Sequence, residues 1–444
     1  MSEVVRLLRA EPPARLFFLA LTQSALGTGA AYVALLLIAY ERFRSPWAIS
    51  LVLLADLLPA MLLGPVFGAA ADRWSRKWCA VGADVIRAGA FIAIALVDDF
   101  ALTVAFAALA GAGTALFTPA TLAGLPSLVS KARVPAATSL YGAIADLGFT
   151  AGPGLAAGFL LLAGPDDILF VNGVTFAASA LILAGLRFGA PAQGARRAHG
   201  WVVPSLLREA REGLSVVARM RAIRVVIAGS TAALFFGGAF NVSELPFATD
   251  ELGTSDTGYS VLVALFGLGF ILGSLAGSGG GPPGRLRRRF LQGVMLMGLG
   301  FLLSGLVPEL AITLVGFALA GFGNGLLLVH ERLIVQEDVP DALMGRAFGV
   351  KDALASWAFG VAFVAAGYLL TLVSPRELVV VAGVGGVLVC ACSTLALWRE
   401  RRGEATAGSL ARGGRAARDP RTDEHGSDVV GRRKDRLAMF DHVD

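Results

Sequence analysis

Residues 47–97 read WAISLVLLADLLPAMLLGPVFGAAADRWSRKWCAVGADVIRAGAFIAIALV. Two apolar runs, Trp47–Ala71 and Cys79–Val97, flank a short polar turn, Asp72-Arg73-Trp74-Ser75-Arg76-Lys77. A helix crosses the hydrocarbon core of a bilayer with roughly 20 apolar residues, and each run is of that order. The runs do not alternate apolar with polar residues, which excludes the strands of a membrane β-barrel. The stretch therefore predicts a helical hairpin through a membrane, with its cationic turn on one side.

The same pattern extends along the chain in both directions. Further apolar runs occur at Leu16–Tyr40, Leu102–Leu125, Ala136–Ala163 and Ile168–Leu186. After a polar stretch they resume at Ile223–Phe247, Gly258–Ser278, Phe290–Val307, Leu310–Val335, Leu343–Val373 and Leu378–Trp398. The expectation is an all-α membrane protein of about twelve spans. Composition agrees: of 444 residues 56% are hydrophobic and 16% charged, with mean hydropathy +0.70. Soluble domains run near a quarter charged. The first run is too long for a signal-peptide core and ends without a small-x-small cleavage site, so it reads as an uncleaved span. Cys79, Cys390 and Cys392 lie in or beside apolar runs without zinc or disulfide spacing. They read as small buried hydrophobes, and no metal or cofactor is expected.

The loops fix the register of the spans. One side receives Arg6, Arg9, Arg15, Arg73, Arg76, Lys77, Lys131 and Arg133. It also receives the central segment, a loop with Arg285, Arg287, Arg288 and Arg289, and the C-terminal tail. The other side has only Arg42, Arg44 and Arg376, and carries Asp98, Asp99, Asp166, Asp167, Asp250, Glu251, Asp256 and Glu309. Lysine and arginine concentrate on the cytoplasmic side, so both termini are expected there, in a multi-pass protein of the cell inner (plasma) membrane. With the basic residues sorted by side in this way, the net charge of +5 does not point to nucleic acid.

The chain is expected to divide into a six-helix half at 1–190, a cytoplasmic linker at 191–221, a second half at 222–399 and a disordered tail at 400–444. Within the linker, Ser205 to Val217 is amphipathic and reads as a helix lying on the membrane surface. The halves echo each other. Val134-Pro135, Tyr141-Gly142, Asp146 and Gly158-Phe159-Leu160-Leu161 are matched by Val339-Pro340, Phe348-Gly349, Asp352 and Gly367-Tyr368-Leu369-Leu370. A faint repeat at the same pair of spans in each half is a mark of duplicated transporters.

Three motifs carry a family resemblance. The turn Gly68-Ala69-Ala70-Ala71-Asp72-Arg73-Trp74-Ser75-Arg76-Lys77 resembles the Gly-x-x-x-Asp-Arg-x-Gly-Arg-Arg/Lys loop of the major facilitator superfamily, with Ser75 in place of its second glycine. Gly68 permits close approach of a neighbouring helix, and Asp72 can meet a helix end or an arginine. The equivalent turn of the second half, Gly277 to Arg289, has no carboxylate. In the fifth span, Gly148, Gly152, Pro153, Gly154 and Gly158 resemble the Gly-x-x-x-Gly-Pro element of the superfamily's exporters; glycines four apart make a packing groove, and the proline frees a backbone carbonyl. Phe117-Thr118-Pro119-Ala120 with Leu125-Pro126, and Glu331-Arg332, Gln336 and Gly345-Arg346, resemble the subfamily of bacterial enterobactin and macrolide exporters. The arginine that many exporters carry in the middle of the fourth span is absent. The resemblance covers about residues 15 to 398 and implies two pseudo-symmetric six-helix halves, a gating role for Gly68, Asp72, Arg73, Arg76 and Lys77, and secondary active transport.

Charges inside the spans are the candidate sites, because a central membrane charge costs at least ~2.5 kcal/mol. Asp84 and Arg87 stand three apart on one helix and are expected to form a structural pair. Lys351, beside Asp352 near a span end, reads as snorkelling to the interface. Asp56, Asp146 and Glu244 have no evident partner in the sequence and, with Asn241, are the candidates for substrate or coupling. Asp56 ranks first, because Asp146 has a counterpart in Asp352. The expected function is proton-coupled export of a small amphiphilic organic molecule by a monomer in the lipid bilayer. An uptake carrier of the same fold is the alternative, and a membrane-embedded transferase the more distant one. The paired carboxylates Asp98-Asp99 and Asp166-Asp167 sit in short turns with no further ligands, and no phosphate loop is present, so enzyme chemistry is not expected.

Overall fold

The computed structural model describes residues 3–188, 211, 214–215, 217–277 and 281–416. Among them no strand occurs. A short helix α1 (Glu3–Ala10) precedes twelve long ones: α2 (Pro12–Phe43), α3 (Pro46–Arg73), α4 (Arg76–Leu96), α5 (Phe100–Gly124), α6 (Val134–Phe159), α7 (Pro165–Gly185), α8 (Arg221–Pro246), α9 (Asp256–Gly277), α10 (Pro283–Leu306), α11 (Leu310–Asp338), α12 (Asp341–Leu369) and α13 (Pro375–Ala416). Eleven are long and apolar enough to cross a membrane. The other, α6, has the length at 26 residues but is diluted by glycine, threonine and serine. Proline stands in the first turn of α2, α3, α6, α7 and α10, where its missing N–H costs nothing.

The expected spans match these helices within a few residues, with three differences. Arg285 to Arg289 are not a loop but the first turns of α10. The apolar run ends at Trp398, yet α13 continues to Ala416. Helix α1 was not expected; its Leu7 is fully buried, and Glu11 behind it accepts hydrogen bonds from the Ser130 amide (3.2 Å) and Arg133 (2.9 Å). The Ser130 amide, aided by Arg133, holds the Glu11 carboxyl below the usual carboxylate range. The expected linker helix at 205–217 falls largely outside the described residues.

Helices α2–α7 pack mainly on one another through α3–α5, α4–α5, α4–α7, α2–α6 and α2–α7. Helices α8–α13 do the same through α10–α11, α9–α11 and α8–α12, and through α10–α13 at Gly298, Gly383 and Gly386. The groups meet along α6–α9 and α3–α12, within a single compact unit of residues 1–396. The described part of the second unit is the remainder of α13 from Leu397.

The seams between the groups close on one face only. Ser50 and Trp47 touch Gly367 near the acidic loops, and Leu54 and Met61 touch Gly360 about the middle of α3. Toward the basic loops, Gly64 and Gly68 of α3 and Gly345 and Gly349 of α12 have no neighbour within reach of an added Cβ among the described residues. On the acidic face the Tyr40 hydroxyl of α2 also hydrogen-bonds Asp250, beyond α8. The bundle is thus shut at the acidic face and splayed at the basic one.

Two of the cations that break the charge asymmetry staple the acidic face. Arg42 pairs with Asp98 (3.3 Å) and Asp166 and donates to the Val97 carbonyl (2.6 Å), tying three loops together. Arg376 donates to the carbonyls of Gly305 (2.8 Å) and Leu306 (3.1 Å).

Candidate functional site

Small residues let α6 lie directly on α2. A Cβ on Gly29 would collide with the Gly148 carbonyl, and one on Gly152 with the backbone of Gly29 and Ala30. Two stacked glycine contacts bring the backbones together, as small residues do between membrane helices. Pro153 is buried within this helix. Of the expected element, Gly148 and Gly152 form the groove and Gly158 meets nothing among the described residues. The other face of α6 serves the seam: Thr150 touches Gly267 and Gly154 touches Ala264 of α9.

Above this contact lies a cavity of about 280 Å3 inside the first half. Ser24, Thr28 and Tyr32 of α2, Phe117 and Thr118 of α5, and Tyr141 and Phe149 of α6 line it, together with Arg87 of α4. Arg87 is 5% exposed and its guanidinium lies between two rings, 4.1 Å from the Phe117 centroid and 4.2 Å from that of Phe176. It hydrogen-bonds Asp84 one turn away, as expected. The planar, weakly hydrated guanidinium suits such a sandwich, and a desolvated cation–π contact is worth about 2 kcal/mol. Arg87 is more than a local partner of Asp84: its field reaches Asp56 and Tyr141. Asp56, which had no evident cation in the sequence, is exposed within reach of that charge. The cation of this cavity therefore comes from the third span, not the fourth.

Asp146 of α6 is exposed, and among the described residues the cation whose field reaches it is Arg332 of α11, also exposed. These two residues belong to different halves and face the splayed cleft. Asn241 is half-buried on α8. One turn on, Glu244 is 5% exposed and accepts a hydrogen bond from Tyr259 of α9 at 2.9 Å. The backbone of Gly68–Lys77 ends α3 and opens α4 as expected, and Arg76 donates to the Ala123 carbonyl at 2.9 Å. The Asp72 and Arg73 side chains fall outside the described residues.

A second charge centre was missed in the sequence. Glu331 of α11 is 1% exposed; it accepts a hydrogen bond from Ser230 of α8 and lies 3.6 Å from Lys351 of α12. Lys351 is itself buried and sits 2.9 Å from the exposed Asp352. Snorkelling is therefore the wrong account of Lys351: its ammonium turns inward because an unpartnered Glu331 would be costly there. A glutamate inside the run Leu310–Val335 was the signal that could have pointed to it.

A helical bundle with two inward-facing charge centres and a cleft between six-helix groups is an arrangement of membrane carriers, and comparison with known proteins agrees. The family model described as Major Facilitator Superfamily matches residues 17–351 and 227–422. The chain is 27% identical over 369 residues to the multidrug efflux pump Tap of Mycolicibacterium fortuitum, covering 80% of this chain and 88% of that one. It is 23% identical over 336 residues to macrolide efflux protein A of Streptococcus pyogenes, covering 73% and 81%. Among solved structures, an inward-facing, unoccupied bacterial homologue of the human lysosomal transporter Spinster superposes with TM-score 0.67 at 16% identity, over 87% of this chain and 97% of that one. The nucleoside transporter NupG gives TM-score 0.66 at 13% identity, over 87% and 99%. By sequence and by fold, this multi-pass membrane chain belongs to the Major Facilitator Superfamily of transporters.

Proposed function

We propose that the protein exports small amphiphilic organic molecules, neutral or cationic, from the cytoplasm across the plasma membrane, in exchange for protons. The observation that carries this reading is the cavity beside Arg87. Its lining is mostly aromatic and aliphatic, its one cation is paired with Asp84, and the carboxylates Asp56 and Asp146 are accessible. Such a lining favours apolar bodies with a neutral or positive head over phosphates or sugars. The basic face is assigned to the cytoplasm by the positive-inside rule, which makes the splayed state open inward. Gly68, Asp72, Arg73, Arg76 and Lys77 then sit at the gate of that face. The relatives named as multidrug and macrolide efflux pumps favour export over uptake.

The test is transport in inverted membrane vesicles with an imposed proton gradient, using a panel of fluorescent organic cations. Proton-driven accumulation is expected, and Asp56→Asn or Asp146→Asn should each reduce it at least about tenfold. Gradient-independent uptake, or full activity in both variants, would place coupling elsewhere and overturn the exchange reading. The orientation has its own check. With the native cysteines removed, a membrane-impermeant maleimide added to intact cells should label Asp167→Cys and spare Lys131→Cys. Labelling at 131 in preference to 167 would invert the topology.

A further inference from the structure

Glu244 is the titratable group that the cavity does not use. It lies on α8 near the closed acidic face, is 5% exposed, and does not line the cavity beside Arg87. The groups facing it are hydroxyls. Tyr259 of α9, fully buried, donates to Glu244 Oε1 at 2.9 Å, and Tyr32 of α2 lies within electrostatic range. Among the described residues no cation from α3, α10, α11 or α12 acts on it. Glu331 contrasts with it, being equally buried but provided with Lys351. Glu244 and Tyr259 belong to the second half and Tyr32 to the first, so the cluster straddles the seam that must part when the acidic face opens. Two turns further along α2, Tyr40 bonds Asp250 across the same seam.

We propose that Glu244 is a proton-binding site which fastens the acidic face shut. A carboxylate at membrane depth without a counter-ion is costly, whereas a neutral carboxyl bonded to tyrosine is not. The closed face therefore requires the proton. Parting the halves carries Tyr32 away and admits water, and the carboxyl then ionises into the compartment beyond that face. Because binding and conformation are linked reciprocally, acid in that compartment closes the face, and loss of the proton opens it. In this scheme the proton moves between Glu244 and water on the acidic side, so the site gates the return of the carrier to the splayed state and is distinct from Asp56 and Asp146. The inference rests on the alternating-access reading proposed above but not on the direction or substrate of transport.

The experiment measures conformation, without substrate. A cysteine-free protein carrying Ser45→Cys and Glu251→Cys is spin-labelled across the acidic face, reconstituted in lipid nanodiscs, and its distance distribution recorded from pH 5 to 9. The parted population should grow with pH, its ratio to the closed population changing by up to about tenfold per pH unit, the limit for one proton. Glu244→Gln, locked in the neutral form, should stay closed across the range, and Glu244→Asp should restore a pH response. A distribution that ignores pH in the parent, or a Glu244→Gln profile that titrates like the parent, overturns the proposal. A protein that titrates as expected but exports nothing in vesicles would sink the export reading and leave the latch standing.

Discussion

Replacing Arg87 with alanine is expected to cost about 3–5 kcal/mol of stability, the usual penalty for stranding one member of a buried ion pair. Asp84 is fully buried and would lose its counter-ion, while Phe117 and Phe176 would lose the guanidinium between them. Arg87→Lys should recover only part of the loss. An ammonium can pair with Asp84 but cannot lie flat between two rings, so about 2 kcal/mol of stacking is forfeited. The double variant Asp84→Asn with Arg87→Gln removes both charges and should be more stable than Arg87→Ala alone. Thermal unfolding of the four proteins in detergent gives the order. If Arg87→Ala were as stable as the parent, the pair would be a spectator and the cavity would not depend on it. Transport supplies a second reading. The double variant is expected to fold yet lose proton-driven export, because Asp56 then loses the cation whose field reaches it.

That expectation shows where sequence reasoning stopped. The Asp84–Arg87 spacing on one helix was enough to infer the pair, since residues three apart share a face. Nothing in the spacing says that the field of the same arginine also reaches Asp56 of another helix, because that depends on α3, α4 and α5 packing together. Gly113 and Gly111 make this possible: a Cβ at the first would strike the Arg87 side chain, and one at the second the Asp56 carbonyl. Hydropathy, by contrast, located the spans to within a few residues, because a bilayer imposes length and polarity on every helix separately. The exceptions are instructive. At Arg285 to Arg289 a polar sequence continues a helix beyond the hydrocarbon, and hydropathy reports only the part inside it. The cations Arg42 and Arg376 break the charge rule because they are spent on carbonyls and carboxylates of their own face.

The fourth span lacks the arginine that many exporters of the resembled subfamily carry at its middle. The structure supplies a cation to the same interior from α4 and walls it with Phe117 of α5, the helix that would otherwise have carried it. The cavity therefore has a positive centre although the fourth span contributes no arginine. The family motif located the helices but not this substitution of role, which is visible only once the side chains are in place.

The second half should show a different balance when its charges are removed. Lys351→Met strands Glu331, which is 1% exposed, and should cost about 3–5 kcal/mol. Asp352→Asn removes the nearer partner of the same lysine, at 2.9 Å, yet that carboxylate's side chain is 69% exposed. Its loss should cost no more than about 1 kcal/mol, because an exposed ion pair is worth little. Distance alone would rank the two contacts the other way, since Lys351 lies 3.6 Å from Glu331. Burial decides, because the penalty comes from the charge left behind and not from the attraction removed. Glu331→Gln combined with Lys351→Met should return most of the lost stability, with Ser230 still able to donate to the glutamine carbonyl. The measurement is the midpoint of thermal unfolding for the three variants beside the parent. An Asp352→Asn loss equal to that of Lys351→Met would mean that Lys351 serves the cleft rather than the interior. The helix contacts among α8, α11 and α12 would then have to hold without the charge centre.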